Sequence, residues 1–405
     1  MESFSKILQF NLEFKDTSKL FQMAKEVNDE LHPSSTLKAK IVVTSKTPDK
    51  IKIGLRIYKP EKCYNGYTLF VHQPPPPGTA IFDPIFLIDM KGNIVYKWYV
   101  FGYPYPYLVQ LDPNGHIFYT PGVDLNVLQF TPDIKGVGLY ELNSESETIW
   151  YLPALIDHDF HTIDKNTYLI EKVEVINKEE GFYLCPYIEI VNRKGKVLWQ
   201  WRGDEHVGEL KQLLNLNIKL EGDWAHINYC EMIGENLSAE KDKRFQKGNI
   251  LFSYGALDLI GIIDYHTKKI VWAWGPGVLQ GPHTPTMLKN GHILIFDNGI
   301  YRGWSRIVEM DPLTGEIVWE YHAEPKESFY SEIMSNAVQL PNGNILICEG
   351  TANRIFEITR DGEIVWDFIS PFNKITGGEG IYRAYRYSPE YVRVLLGGKT
   401  HTDKK

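Results

Sequence analysis

Histidine and aspartate crowd together in DHDFH (157–161), which carries Asp157, His158, Asp159 and His161. Histidine returns as His226 in DWAHIN (223–228) and as His283 in GPHTP (281–285). With an ordinary pKa of ~6.5, imidazole keeps a large neutral fraction at pH 7, so such residues can attack, accept a proton or give one. Residues suited to holding a substrate stand at similar places: Tyr105 in GYPYPY (102–107), Asn228, and Asn336 in MSNAV (334–338). Arginine offers a planar fork of donors for an oxyanion. Arg302 and Arg306 occur in FDNGIYRGWSR (296–306), and Arg383 and Arg386 in YRAYR (382–386). Histidines with an arginine in an aromatic-lined pocket suit an anionic aromatic ligand.

Metal binding is a competing chemistry. Zinc needs three or four converging ligands with a supporting shell. His158, His226 and His283 with Asp159 could be drawn into such a set, but no HExxH-like spacing supports one, and no metal or other cofactor is expected. Neither GxSxG, a P-loop nor GxGxxG occurs where its strand–turn–helix context would allow it.

The elements that must position these residues form a repeat. Six segments share an apolar strand with an acidic or polar residue, a turn, and an apolar pair closed by an aromatic. They are IFLIDMKGNIVYKW (85–98), GLYELNSESETIW (138–150), YIEIVNRKGKVLW (187–199), IGIIDYHTKKIVW (260–272), RIVEMDPLTGEIVW (306–319) and RIFEITRDGEIVW (354–366). Their closing aromatics, Tyr96, Trp150, Trp199, Trp272, Trp319 and Trp366, are 54, 49, 73, 47 and 47 residues apart. A second hairpin precedes each, as in PTMLKNGHILIF (285–296), where Asn-Gly supplies the positive φ that a tight hairpin turn requires. Two hairpins per repeat make a four-stranded blade, so the expected fold is all-β, a six-bladed β-propeller. The longest interval places polar insertions at Lys211 to Leu220 and Glu235 to Gln246.

Around the propeller, expected over 61–375, residues 1–60 read as a small N-terminal β-rich domain. Residues 376–405 read as a segment packing back on it with a frayed end. Innermost strands of a propeller line its axis, which brings the residues named above to one channel. His116 and His292, in NGHI turns, are expected to be solvated.

Bulk properties narrow the partners. A net charge of −8 over 405 residues argues against nucleic acid. The opening ten residues lack an apolar run, no stretch reaches the ~18 apolar residues of a membrane span, and four scattered cysteines form no CxxC pair. Together these lead to an expectation of a cytoplasmic protein.

DWAHIN, GPHTPTMLKNGHILIFDNG (281–299), RIVEMDPLTGEIVWEY (306–321) and YRAYR, in this order, resemble the PAPS-independent arylsulfotransferases, from about Tyr67 to Val392. The resemblance implies a six-bladed propeller with a small N-terminal β-domain. It also implies ping-pong transfer of a sulfuryl group from an aryl sulfate to a phenolic acceptor through a sulfohistidine. Covalent catalysis of this kind splits one hard displacement into two easier ones, with fixed donors at the oxygens that gain charge. Matched by motif, His226, His283 and Arg302 are the expected catalytic residues, and His158, His161, Tyr105, Asn228 and Asn336 the substrate-binding ones. One departure stands out. The family's nucleophilic histidine comes from the blade after that arginine, and here that blade reads SEIMSNAVQLPNGN (331–344), with Ser335 or Asn336 in its place. Either His283 or His226 takes the role, or the chain is a silent propeller that binds a ligand or a protein. A metal-dependent hydrolase is the third alternative.

Overall fold

Antiparallel pairing organises the chain into six sheets arranged as a six-bladed β-propeller. The computed structural model describes residues 53–73, 82–101, 106–121, 137–372 and 380–397. The N-terminal segment up to residue 52, the proline run 74–77 and Tyr105 lie outside the described residues.

Blades two to five are each built from consecutive strands. Blade two comprises Pro106–Leu111, Ile117–Pro121, Gly138–Leu142 and Thr148–Pro153; blade three Ile156–Asp164, Thr167–Asn177, Phe182–Asn192 and Val197–Arg202. Blade four comprises Ile227–Met232, Ile250–Tyr254, Leu259–Ile263 and Ile270–Trp274; blade five Pro282–Met287, Ile293–Asp297, Arg306–Asp311 and Glu316–Tyr321. The first strand of each is innermost. Second strands such as Ile293–Asp297 are buried along their whole length, because a neighbouring blade covers each face. That is why they read as unbroken apolar runs. Outer strands such as Glu316–Tyr321 alternate between exposed and half-buried positions.

Both ends of the described chain serve to close the ring. Blade one places Ile381–Tyr387 as its inner strand, followed by Tyr67–His72, Phe82–Ile88 and Ile94–Phe101, with Tyr67 opposite Tyr387. Blade six comprises Asn336–Gln339, Ile345–Glu349, Arg354–Ile358 and Ile364–Ile369, and Gly54–Tyr58 adds a fifth, outer strand. Of the C-terminal segment, Ile381–Tyr387 thus completes a blade. Gly350 allows the close approach, since a Cβ there would sit 2.6 Å from the Ile381 carbonyl oxygen.

The closing aromatics stitch blade to blade. Tyr96 Oη donates to the Ser144 carbonyl, and indole N–H groups donate from Trp150 to Arg193, Trp199 to Tyr265, Trp319 to Arg360 and Trp366 to Met90. Each acceptor is a turn carbonyl of the following blade, and the last bond joins blade six to blade one. Trp272 is buried against Phe245 instead. The acidic residue of the repeat is also tied in. His116 Nδ1 lies 2.8 Å from buried Glu141 and His292 Nδ1 2.6 Å from buried Glu309, so both turn histidines, expected in solvent, cap a buried carboxylate instead. Satisfying those acids stabilises the interior, since an unpaired buried charge is costly.

A helix, Val207–Leu214, runs into the first polar insertion, and the second forms two short 3-10 turns, Ser238–Glu240 and Lys243–Phe245. Among the described residues no helix is long and apolar enough to cross a membrane.

Candidate active site

Strand register decides which residues share a place along the axis. The second strands of blades four, five and six are each five residues long and end at Tyr254, Asp297 and Glu349. Ile227 faces Tyr254 and Pro282 faces Asp297, while His283 faces Phe296 and Asn336 faces Cys348, one step before the strand end. His283 and Asn336 are thus equivalent; in blade four Tyr229 faces Ser253, and Asn228 sits in the register irregularity beside it, two residues after His226. The asparagines spend their amides on the next blade. Asn228 Nδ2 donates to the Pro282 carbonyl; Asn336 Nδ2 donates to the Ala384 carbonyl and its Oδ1 accepts the Ala384 N–H.

His283 hands that bridging duty to Asn298. The Asn298 amide donates to the Ser331 and Met334 carbonyls of blade six, which leaves its Oδ1 turned to His283 Nδ1 at 2.9 Å. The Gly281 carbonyl lies 3.1 Å from the same nitrogen. Two acceptors facing Nδ1 require a proton there, so Nε2 carries the lone pair. Burial and the nearby positive charge of His226, Arg383 and His158 hold the pKa of this ring down at about 3. It is a neutral imidazole with a fixed tautomer.

His226 is held differently. Asp223 Oδ1 accepts its backbone N–H at 3.1 Å, and Asp223 Oδ2 lies 2.6 Å from its Nδ1. This local turn, three residues long, accounts for the uncommon φ of +45° at His226. Burial works against a proton on the ring, but the Asp223 carboxylate outweighs it and raises the pKa. The ring remains about one-third exposed, and its centroid is 4.7 Å from that of His158 in an edge-to-face contact. Tyr107 and Tyr382 lie beside His158, with centroids 6.4 Å away.

Arg383, from the ring-closing inner strand, is the arginine in the channel. It is buried, donating through Nη1 to Asp159 Oδ1 at 2.7 Å and through Nη2 to the Asn228 carbonyl at 2.8 Å. The faces of Tyr229 and Tyr382 flank it at 5.1 and 4.9 Å. Its Nε–H has no partner among the described residues. Asp159 Oδ2 also lies 3.2 Å from His161 Nε2, and that carboxylate raises the pKa of His161 against the effect of burial.

Of the residues expected from sequence, His158 and His226 meet ring to ring, and His283 lies near enough for their charge to lower its pKa; His161 and Asn228 are linked through Asp159 and Arg383. Asn336 serves as a staple between blades six and one. Arg302 points elsewhere: its guanidinium bonds to the Asp297 carboxylate and carbonyl and to the Trp304 carbonyl, and Arg306 shares the same carboxylate. Asn298, which orients His283, was not singled out by sequence reasoning, although FDNG contains it. A separate cleft of about 310 Å3, lined by Trp319 to His322 and Arg360 to Gly362, contains none of these groups.

Comparison with known proteins adds a family and a set of distant folds. No curated protein sequence matches the chain. Among solved structures, a protein of unknown function from Bacteroides caccae is 15% identical, with a TM-score of 0.47, covering 80% of this chain and 99% of its own. A catalytically inactive virginiamycin B lyase from Staphylococcus aureus with quinupristin is 16% identical, with a TM-score of 0.35, covering 66% and 70%. The β-propeller domain of Cps50 (Swd1) from Myceliophteria thermophila is 10% identical, with a TM-score of 0.41, covering 76% and 89%. The model of the arylsulfotransferase (ASST) family matches residues 142–371, which run from blade two to the end of blade six and include His158, His226 and His283. The chain belongs to the arylsulfotransferase family.

Proposed function

We propose that the protein transfers a sulfuryl group from an aryl sulfate ester to a phenol, with His283 as the attacking residue. The observation that carries this reading is the tautomer lock: Asn298 and Gly281 occupy Nδ1, and Nε2 keeps its lone pair. In the first half-reaction Nε2 attacks sulfur, an N–S bond forms, and the S–O bond to the aryl group breaks. In this reading His226, oriented by Asp223, gives a proton to the departing phenolate and later takes one from the incoming phenol. The second phenol then attacks sulfur, the N–S bond breaks, and His283 returns to its neutral form. Arg383 supplies fixed positive charge beside the ring, with one N–H uncommitted, where sulfonate oxygens would gather charge.

In this reading the attacking histidine sits one blade earlier than family resemblance implies. Asn336, at the later position, has both amide groups bonded to Ala384. The test is intact-mass and peptide mass spectrometry after brief exposure to p-nitrophenyl sulfate. A single sulfuryl adduct on the His283 peptide, lost in His283→Ala, is the expected result. An adduct that persists in His283→Ala, or no adduct and no phenol release across a panel of aryl sulfates, rejects the assignment.

A further inference from the structure

A cluster on blade three adjoins that pocket through His158. The pairing of Ile156–Asp164 with Thr167–Asn177 is irregular between Ile170 and Lys172, opposite Phe160 and Ile156. Such an irregularity re-aims side chains. Here it turns Asp157 and His158 toward Glu171, so that one ligand atom from each lies within 4.8 Å of the others. Two features of the cluster need explaining. Glu171 is wholly buried; its Oε2 accepts the His158 backbone N–H, while its Oε1 has no hydrogen-bond partner among the described residues. His158 Nδ1 lies 2.7 Å from Asp157 Oδ2, yet it too has no aligned hydrogen bond. A close but misaligned nitrogen, an orphaned carboxylate oxygen and a second carboxylate lie together.

The charges in the neighbourhood leave the same gap. Arg383 is committed to Asp159, and His226 is paired with Asp223. No lysine or arginine is paired with Asp157 or Glu171 among the described residues. Two carboxylates buried together with no cation are unfavourable unless something compensates them.

We propose that Asp157, His158 and Glu171 form a binding site for one divalent metal ion. One imidazole nitrogen and two carboxylate oxygens suit borderline zinc or harder manganese better than a soft ion, which would prefer thiolates. The ion would be held through His158, whose ring edge meets His226, so it would lie next to the histidine pocket. This inference stands on its own residues and does not depend on sulfuryl transfer.

The test uses the full chain, purified without a polyhistidine tag or chelator. Elemental analysis should find close to one equivalent of zinc or manganese. After stripping with chelator, titration with Co2+ should produce d–d absorption that saturates at one equivalent. Added Zn2+ should raise the melting temperature of the stripped wild type, because an ion bound only by the folded state stabilises it. Glu171→Gln and Asp157→Asn should each weaken Co2+ binding at least ~10-fold, the scale of losing a ligand or its orientation. Should either variant misfold, the wild-type Co2+ titration still decides. No metal retained and no response to Zn2+, Mn2+ or Co2+ overturns the proposal. So does undiminished binding in both variants, which would put the ion elsewhere. A rise in melting temperature in Glu171→Gln without any metal response also overturns it, since a proton would then be what compensates the buried carboxyl.

Discussion

At the scale of single residues, the tautomer of His283 has consequences that can be measured. An ordinary imidazole loses its attacking lone pair below about pH 6. Burial and neighbouring positive charge hold His283 at about 3, so phenol release in single turnover should not decline through protonation of this residue between pH 7 and pH 5. A pH–rate profile on the first half-reaction checks this. Asn298→Asp keeps an acceptor at Nδ1 but adds a negative charge, which favours the imidazolium. Its profile should show an acid limb at higher pH than wild type, an effect that a purely structural role would not produce. Asn298→Leu leaves Nδ1 with only Gly281 and should lower kcat by ~10–10²-fold with little change in KM, read from steady-state kinetics. The histidines were visible in the sequence as residues that could do chemistry. Their relative placement was not. His226 and His283 look alike as histidines ahead of strands, but strand register makes Asn336 the counterpart of His283, while His226 precedes an irregularity at Asn228. The offset arises in the tight turn at His226, which no spacing rule shows. Arg302 was chosen over Arg383 for a similar reason: Asp297 lies only five residues from Arg302 and captures it, a contact the motif alone conceals.

At the scale of elements, the repeat was legible because its signature is local. Each closing aromatic belongs to its own hairpin, and, Trp272 excepted, its polar tip reaches the next turn. The bond from Trp366 to Met90 closes the ring, and Trp366 is fully buried. Trp366→Phe keeps an aromatic ring but leaves the Met90 carbonyl without its donor. It should cost about 1–3 kcal/mol, measured by denaturant unfolding, the usual price of an unsatisfied buried polar group. The inner strand of blade one could not be read the same way. Tyr67 pairs with Tyr387 across most of the sequence, and nothing near YRAYR announces that it belongs with residues 67–72. Its tyrosines and arginines showed only that the segment was ordered. A chain ending at residue 380 should lack this strand, the Asn336–Ala384 staple and Arg383 together. Loss of a single cooperative unfolding transition, followed by circular dichroism, is the expected outcome.

Over the whole molecule, closure of the ring rests on contacts between blades one and six, and one of these titrates. His72 is fully buried, with Nε2 2.9 Å from Ser370 Oγ across that junction. Burial lowers its pKa to about 4 from the ordinary 6.5. The sign follows from proton counting. Between those values the unfolded chain binds a proton that the folded chain refuses, so this contribution is complete above about pH 6.5 and is lost as pH falls through 4. The full effect is about 3 kcal/mol. His72→Gln removes the titrating group, so any stability gap between wild type and variant at pH 7 should shift in favour of the variant at pH 4.5. Parallel melts at the two pH values check this. The junction has one more consequence, which concerns the order of synthesis. Arg383 lies on the last inner strand in chain order, after those of blades two to six. While the chain is being made, the histidines can fold into their blades with no channel arginine beside them. The pocket acquires its fixed positive charge only when the ring closes, so a partly made chain would lack the charge that the proposed reaction uses.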